Sequence, residues 1–220
     1  MNFTKTILFF PGFLREPDDF EFTEKGKKIG IISFINKRAN VYKVNISNDD
    51  YLKPIDKFCE EIMETIKKYK DTKLFLVGHS FGSFYVLKFI ELFGSFIKGF
   101  LLIDPTFKSD KYKLELLMKL ERYKTINDDL MIGLTQSKLD NFNDLTNGSN
   151  INQNNLEIII MINKKKDYDY DENKIKFYEE LINKIGNNRS KVIVYNDLSH
   201  MIHYKRSAEI IQILKNMLKN

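Results

Sequence analysis

The chain reads Leu74-Phe75-Leu76-Val77-Gly78-His79-Ser80-Phe81-Gly82 immediately before a run of helical character. The apolar stretch 74–77 predicts a buried strand, so the chain must turn from strand to helix within a few residues. Such a turn forces its central residue, Ser80, into a strained backbone conformation, and the flanking glycines remove side chains that would collide with the helix and the strand. The pattern predicts a nucleophilic serine whose hydroxyl is held above a sheet edge, close to the N–H groups that begin a helix.

Short apolar segments alternate with longer segments of helical spacing along most of the chain. The predicted strands are residues 6–10, 41–46, 73–77, 99–103, 157–162 and 191–195. The predicted helices are residues 20–37, 54–70, 80–93, 171–185 and 203–218. This alternation is typical of an α/β fold, with about six parallel strands and helices on both faces of the sheet.

One long segment, residues 106–155, interrupts the alternation. It contains a charged stretch of helical spacing and then a polar tail at 147–155. Connections of this length usually form an excursion over a site, so we predict a small cap; for the tail, a low-complexity insertion is an equally open interpretation. Because 220 residues with 43% hydrophobic content suffice for one core, we expect a single domain over residues 1–220.

The composition argues against several classes of protein. Lysine and arginine are interspersed with nearly as many acidic residues at a net charge of +5, which predicts a solvated surface and no nucleic-acid binding. No apolar stretch approaches about 18 residues and no signal peptide is evident, so we expect a cytoplasmic protein without stable membrane insertion. The single cysteine, Cys59, lies on the apolar stripe of a predicted helix and is expected in the core.

Candidate partners for Ser80 lie in the loops that follow other predicted strands, where a parallel sheet places its active groups. His200 follows the last predicted strand, and Asp167 and Asp169 follow the fifth. Asp104 comes directly after the fourth. The chain has three histidines and no metal-ligand spacing such as His-Glu-x-x-His, which argues against a metal site.

These features resemble the α/β-hydrolase superfamily of serine hydrolases, and the resemblance covers nearly the whole chain, residues 7–218. It depends on the Gly-x-Ser-x-Gly elbow, on the chain order serine, acid, histidine, and on a histidine between the last strand and the last helix. The resemblance implies that Ser80 is the nucleophile and that His200 is its general base.

The acid of the implied triad has three candidates. The superfamily usually supplies it a few residues beyond the penultimate strand, and Asp167 fits that spacing best. Asp169 lies on the same loop, and Asp104 occupies a place from which some relatives supply the acid instead. The sequence ranks Asp167 first and leaves both alternatives open.

The resemblance also implies an oxyanion hole made of two backbone N–H groups. One belongs to Phe81, the residue after the nucleophile. The other comes from the loop after the first predicted strand, where Phe13 is the first candidate and Leu14 is the second. Relatives commonly have His-Gly in this loop, whereas this chain has Pro11-Gly12.

The resemblance implies a cofactor-free serine hydrolase that cleaves a carboxyl ester or thioester of a small-molecule acyl substrate through an acyl-enzyme. The same fold also hosts proteins that have lost catalysis. The second hypothesis is therefore an inactive small-molecule receptor or a partner-binding protein. The presence of all three triad residue types favours the enzyme.

Overall fold

The structure, a computed structural model, describes residues 4–12, 15–24, 27–47, 50, 53–67, 73–106, 156–164, 170–196 and 200–219. The strands in chain order are β1 (Lys5–Phe10), β2 (Glu21–Glu24), β3 (Lys27–Gly30), β4 (Asn40–Lys43), β5 (Lys73–His79), β6 (Ile97–Ile103), β7 (Glu157–Lys164) and β8 (Lys191–Asn196). The α-helices of this described part are α1 (Ile31–Ile35), α2 (Ile55–Thr65), α3 (Gly82–Phe93), α4 (Tyr170–Ile185), α5 (Ile202–Lys205) and α6 (Ser207–Lys219).

One sheet organises the molecule. It contains six strands in the order β4-β1-β5-β6-β7-β8, and every neighbouring pair is parallel. The central strand β5 is exposed only at its first residue, Lys73. A strand covered on both faces must be apolar at almost every position, which is why these strands are visible in the sequence as continuous apolar runs. The predicted α/β fold with a six-stranded parallel sheet is confirmed.

Helices cover both faces of the sheet. One apolar layer contains residues of α2, α3 and α4, and the other contains residues of α1 and α6. Cys59 of α2 is fully buried in the first layer, so its predicted place in the core is confirmed. Because both faces are covered, the edge formed by the carboxyl ends of the parallel strands is where polar side chains can converge.

The predicted helix over residues 20–37 is wrong in its first half. Residues 21–24 and 27–30 instead form the antiparallel pair β2–β3, and the short α1 follows. The charged residues of this stretch provide no apolar stripe for a helix. A contact outside the pair stabilises the observed arrangement, because a Glu21 carboxylate oxygen accepts hydrogen bonds from the backbone N–H and the hydroxyl of Ser33, at 2.6 and 2.9 Å.

The predicted cap over 106–155 lies outside the described residues apart from Thr106 at its start. Within the described part of the chain, none of the helices combines the length and the apolar character needed to cross a lipid bilayer.

Candidate active site

The elbow between β5 and α3 holds Ser80 in a strained conformation. Its φ is 51°, in the left-handed region that side-chain-bearing residues rarely adopt. Among the described residues the one other non-glycine with positive φ is Asp104, at 41°. Ser80 N–H donates to the carbonyl of Ile103 at 3.0 Å, which ties the elbow to the end of β6. The two strained residues therefore directly follow adjacent strands, at the same edge of the sheet.

Gly82 is required by a close approach of backbone. A Cβ on Gly82 would lie 2.4 Å from the carbonyl oxygen of Phe10 and 2.5 Å from that of Pro11. Neither oxygen can move away easily, because both belong to the chain leaving β1. The glycine allows the start of α3 to sit directly against this loop, as the sequence pattern predicts.

We expect Gly82→Ala to destabilise the protein by about 2–3 kcal/mol, since the added methyl overpacks against rigid backbone. Urea denaturation measures the change. Gly94→Ala is the matched control, because a Cβ there meets nothing within 4 Å. Gly94 also has an ordinary helical φ of −54°, so the control should stabilise slightly, by about 0.5 kcal/mol. Equal stability of Gly82→Ala and wild type would contradict the close approach.

His200 lies against the nucleophile. Its Nε2 is 2.7 Å from Ser80 Oγ. The imidazole is half exposed, with 52% of the side chain accessible, so one side of the pair faces solvent. His200 comes just before α5, between the last strand and the last helices, where the sequence analysis placed it. With Nε2 as acceptor, the ring can take the hydroxyl proton of Ser80.

Asp104 occupies the other nitrogen of the same ring. His200 Nδ1 is 2.6 Å from Asp104 Oδ2. A proton on Nδ1 fixes the tautomer in which Nε2 accepts from Ser80. Asp167 and Asp169 lie outside the described residues. The sequence ranked Asp167 ahead of Asp104, whereas the described geometry brings Asp104 to the histidine.

Among the described residues, three groups bind the Asp104 carboxylate. Oδ2 accepts from His200, and Oδ1 accepts from the backbone N–H of Asn163 at 3.3 Å and from Lys174 Nζ at 3.1 Å. Burial alone would raise the pKa of Asp104, but the hydrogen bond from His200 and the charge of Lys174 outweigh it and hold this pKa below its ordinary value. Asp104 is therefore an anion at neutral pH.

The other two histidines lie beside His200. His79 Nε2 is 3.2 Å from the backbone carbonyl oxygen of His200, and the His79 and His203 ring centroids are 4.4 Å apart. Burial, reinforced by the neighbouring histidines, lowers the pKa of His79 well below its usual range, and burial lowers that of His203 to about 4. Both rings are therefore neutral at pH 7. His79 supports the backbone of His200, and buried His203 completes the packing.

Two residues of the site were missed by the sequence analysis. Thr106 Oγ1 is 3.5 Å from Ser80 Oγ, and its N–H donates to the Ser80 carbonyl at 3.2 Å. Thr106 had no signal beyond its place two residues after Asp104. Lys174 does have a sequence signal, because it lies on the buried stripe of α4 that continues through Tyr178 and Leu181. A lysine at an apolar position of an amphipathic helix indicates a buried partner.

The predicted oxyanion donors are divided between described and undescribed residues. Phe81 directly precedes α3 and has helical dihedral angles, φ −58° and ψ −29°. Phe13 lies outside the described residues, but its neighbour Gly12 is described. A Cβ on Gly12 would lie 3.5 Å from Ser80 Cβ, so the loop after β1 passes next to the nucleophile. Within the described ranges, no group of histidine, cysteine, aspartate and glutamate side chains is arranged to hold a metal ion.

No protein-family model matches the sequence, and no curated protein matches it. Solved structures do match it over almost the whole chain. A structure of LipS and LipT, two metagenome-derived lipolytic enzymes, gives a TM-score of 0.69 at 11% identity and covers 100% of this chain and 95% of its own. MGS-MChE2, an alpha/beta hydrolase enzyme from the metagenome of sediments from the lagoon of Mar Chica, Morocco, gives 0.65 at 14% identity, covering 98% and 90%. MenH from S. aureus gives 0.60 at 16% identity, covering 100% and 95%.

Proposed function

We propose that this chain, which has the α/β-hydrolase fold, is a serine hydrolase that cleaves a carboxyl ester or thioester of a small-molecule acyl substrate. The observation that carries the proposal is the continuous series of hydrogen bonds from Ser80 through His200 to Asp104, at 2.7 and 2.6 Å. The lipolytic enzymes and esterases among the similar structures support the reaction class.

In the proposed reaction, Ser80 Oγ attacks the acyl carbonyl carbon while His200 Nε2 takes the hydroxyl proton. The tetrahedral intermediate carries its negative charge on the former carbonyl oxygen, which accepts hydrogen bonds from backbone N–H groups of Phe81 and Phe13. Its collapse expels the alcohol or thiol, which receives the proton from His200. Water, deprotonated by the same imidazole, then attacks the acyl-enzyme and releases the acid, regenerating Ser80.

Asp104 replaces Asp167 as the proposed acid. His200 Nδ1 carries a single proton, and the Asp104 carboxylate lies at hydrogen-bond distance from it. The buried carboxylate holds the ring in the productive tautomer and stabilises the imidazolium that forms during proton transfer. The Asp104 side chain is 8% exposed and that of His200 is 52% exposed, so the carboxylate is buried while solvent screens part of its attraction for the imidazolium.

A fluorophosphonate probe tests the proposal, because it reacts with activated serines and mimics the tetrahedral intermediate. We expect intact-mass analysis of the wild type to show one adduct, and peptide mapping to locate it at Ser80. His200→Ala should slow labelling by about 10²–10⁴-fold, since the hydroxyl loses its base. Folded wild-type protein that does not react with the probe would contradict the proposal and favour a non-catalytic binding role.

A panel of p-nitrophenyl esters and acyl thioesters of increasing chain length identifies the acyl group. Hydrolysis of these compounds at rates that His200→Ala reduces in parallel with labelling would link the nucleophile to turnover. Labelling without turnover of any ester or thioester would contradict this substrate class.

A further inference from the structure

Lys174 is a buried lysine at the centre of the proposed site. Its side chain is 4% exposed, and that of Asp104 is 8% exposed. It projects from α4 on the same buried stripe as Tyr178, Leu181 and Ile185. An ammonium group at such a position is costly unless a charge and hydrogen bonds compensate it. The compensating group is the carboxylate that binds His200.

We propose that Lys174 is a positioning residue which fixes the orientation of the Asp104 carboxylate and extends the working range of the Ser80–His200 pair to lower pH. The inference deepens the proposed function and rests on it. It assigns a chemical role to a residue of α4, a helix that supplies no other polar contact to Asp104 among the described residues.

The orientation follows from the division of the carboxylate oxygens. Lys174 Nζ and the Asn163 N–H both donate to Oδ1, so this oxygen is held on the side of β7 and α4. Oδ2 is left for His200 Nδ1. Without Lys174, the Asn163 N–H would be the one donor left on Oδ1 among the described residues, so the carboxylate would be held less firmly in the orientation that presents Oδ2 to His200.

The pH effect follows from the sign of the charge. A cation beside Asp104 offsets part of the negative charge that the carboxylate presents to His200, so removal of Lys174 should favour the protonated imidazole relative to the wild type. The other ionisable groups near the pair in the described chain are His79 and His203, with the ion pair of Arg15 and Asp19 next to His203. Both histidines are neutral near pH 7. Lys174 is therefore the nearest buried cation of the described residues, and burial prevents its screening by salt.

Lys174→Met removes the charge and tests the proposal. We expect the acid limb of the kcat/KM profile for a p-nitrophenyl ester to move upward by about one pH unit. On the acid side of the profile, kcat/KM should therefore fall by about tenfold, and at pH 8–9 it should fall by less. Lys174→Gln keeps a donor without the charge and should shift the limb equally, whereas Lys174→Arg keeps the charge and should retain the wild-type limb.

Lys176→Met is the matched control, because Lys176 lies on the exposed side of the same helix. It should leave the profile unchanged. If Lys174→Met does not fold, Lys174→Gln and Lys174→Arg still test the proposal, because the first lacks the positive charge at position 174 and the second keeps it. A purely structural role would lower the melting temperature of the variants without moving the acid limb, and that outcome overturns the proposal.

Imidazole NMR separates this inference from the proposed function. The chain has three histidines, so His200 can be assigned from the signal that disappears in His200→Asn. The midpoint of its titration should rise by about one unit in Lys174→Met, whether or not any ester is cleaved. An unchanged midpoint overturns the role of Lys174 even in an active esterase. A raised midpoint in a protein without activity would sink the proposed function and leave the electrostatic role of Lys174 standing.

Discussion

Ser80→Ala is expected to lower kcat for ester hydrolysis by about 10⁶-fold, to the level that binding and the oxyanion donors alone supply. The physical reason is that Oγ lies 2.7 Å from the base, and in the described part of the chain Ser80 is the one residue whose hydroxyl is found bonded to His200. Thr106 Oγ1 is a neighbour at 3.5 Å from Ser80 Oγ, but no bond to His200 is found for it. The measurement is steady-state turnover of the best p-nitrophenyl ester, with active-site titration to exclude traces of wild type.

Ser83→Ala is the control for this substitution. Ser83 is fully buried one turn along α3, and its N–H donates to the Ser80 carbonyl, an interaction that alanine keeps. We expect the kcat of this variant to stay within about threefold of that of the wild type, because the substitution preserves the surroundings of Ser80 and the backbone hydrogen bond to it. If the Ser80→Ala variant retained a tenth of the wild-type kcat, the assignment of Ser80 as nucleophile would be contradicted.

The parts of the fold that the sequence predicted are those determined by local pattern. Strands β5, β6 and β7 are buried on both faces, so each appears as an uninterrupted apolar run. The elbow was visible because steric conflict at Gly78 and Gly82 admits almost no other residue. His200 was found because a histidine between the last strand and the last helix has few alternatives in a chain with three histidines.

The antiparallel pair β2–β3 could not be predicted in the same way. Its backbone pairing is accompanied by a contact from Glu21 to Ser33, twelve residues further along the chain. The apolar spacing of Ile31, Ile32 and Ile35 is helical, but it does not show at which residue the helix begins. A local pattern carries no information about where a contact of this kind will form.

The acid was ambiguous for a topological reason. β6 and β7 are neighbours, so the residues after both strands reach the same part of the sheet edge. Spacing in the sequence cannot distinguish Asp104 after β6 from the aspartates after β7. In the structure, Asp104 has a positive φ, and its Oδ1 accepts hydrogen bonds from the Asn163 N–H and from Lys174; none of these features is visible in the spacing. Lys174 was the one sequence signal that pointed to a buried carboxylate, since it lies on the apolar stripe of α4.

Asp104→Asn is expected to lower kcat by about 10⁴-fold, because the site would hold the imidazole in the wrong tautomer. Lys174 and the Asn163 N–H both donate to the position of Oδ1, so they select the amide oxygen there. The amide NH₂ then faces His200 Nδ1 and donates to it. The ring must carry its proton on Nε2, which can no longer accept the proton of Ser80. KM should change little, since Asp104 is buried behind the histidine.

Asp167→Asn is the competing substitution, because Asp167 is the acid that the sequence ranked first. If Asp104 orients His200, Asp167→Asn should lower kcat by less than about tenfold. The imidazole NMR signal of His200 should then behave as in the wild type. If Asp167→Asn lowered kcat by about 10⁴-fold and Asp104→Asn lowered it only slightly, the assignment of the acid would be reversed. Large losses at both would mean that the two carboxylates act as a unit, and the double variant would then be no slower than either single one. Near-equal activity of Asp104→Asn and wild type would leave the 2.6 Å contact to His200 without a catalytic role.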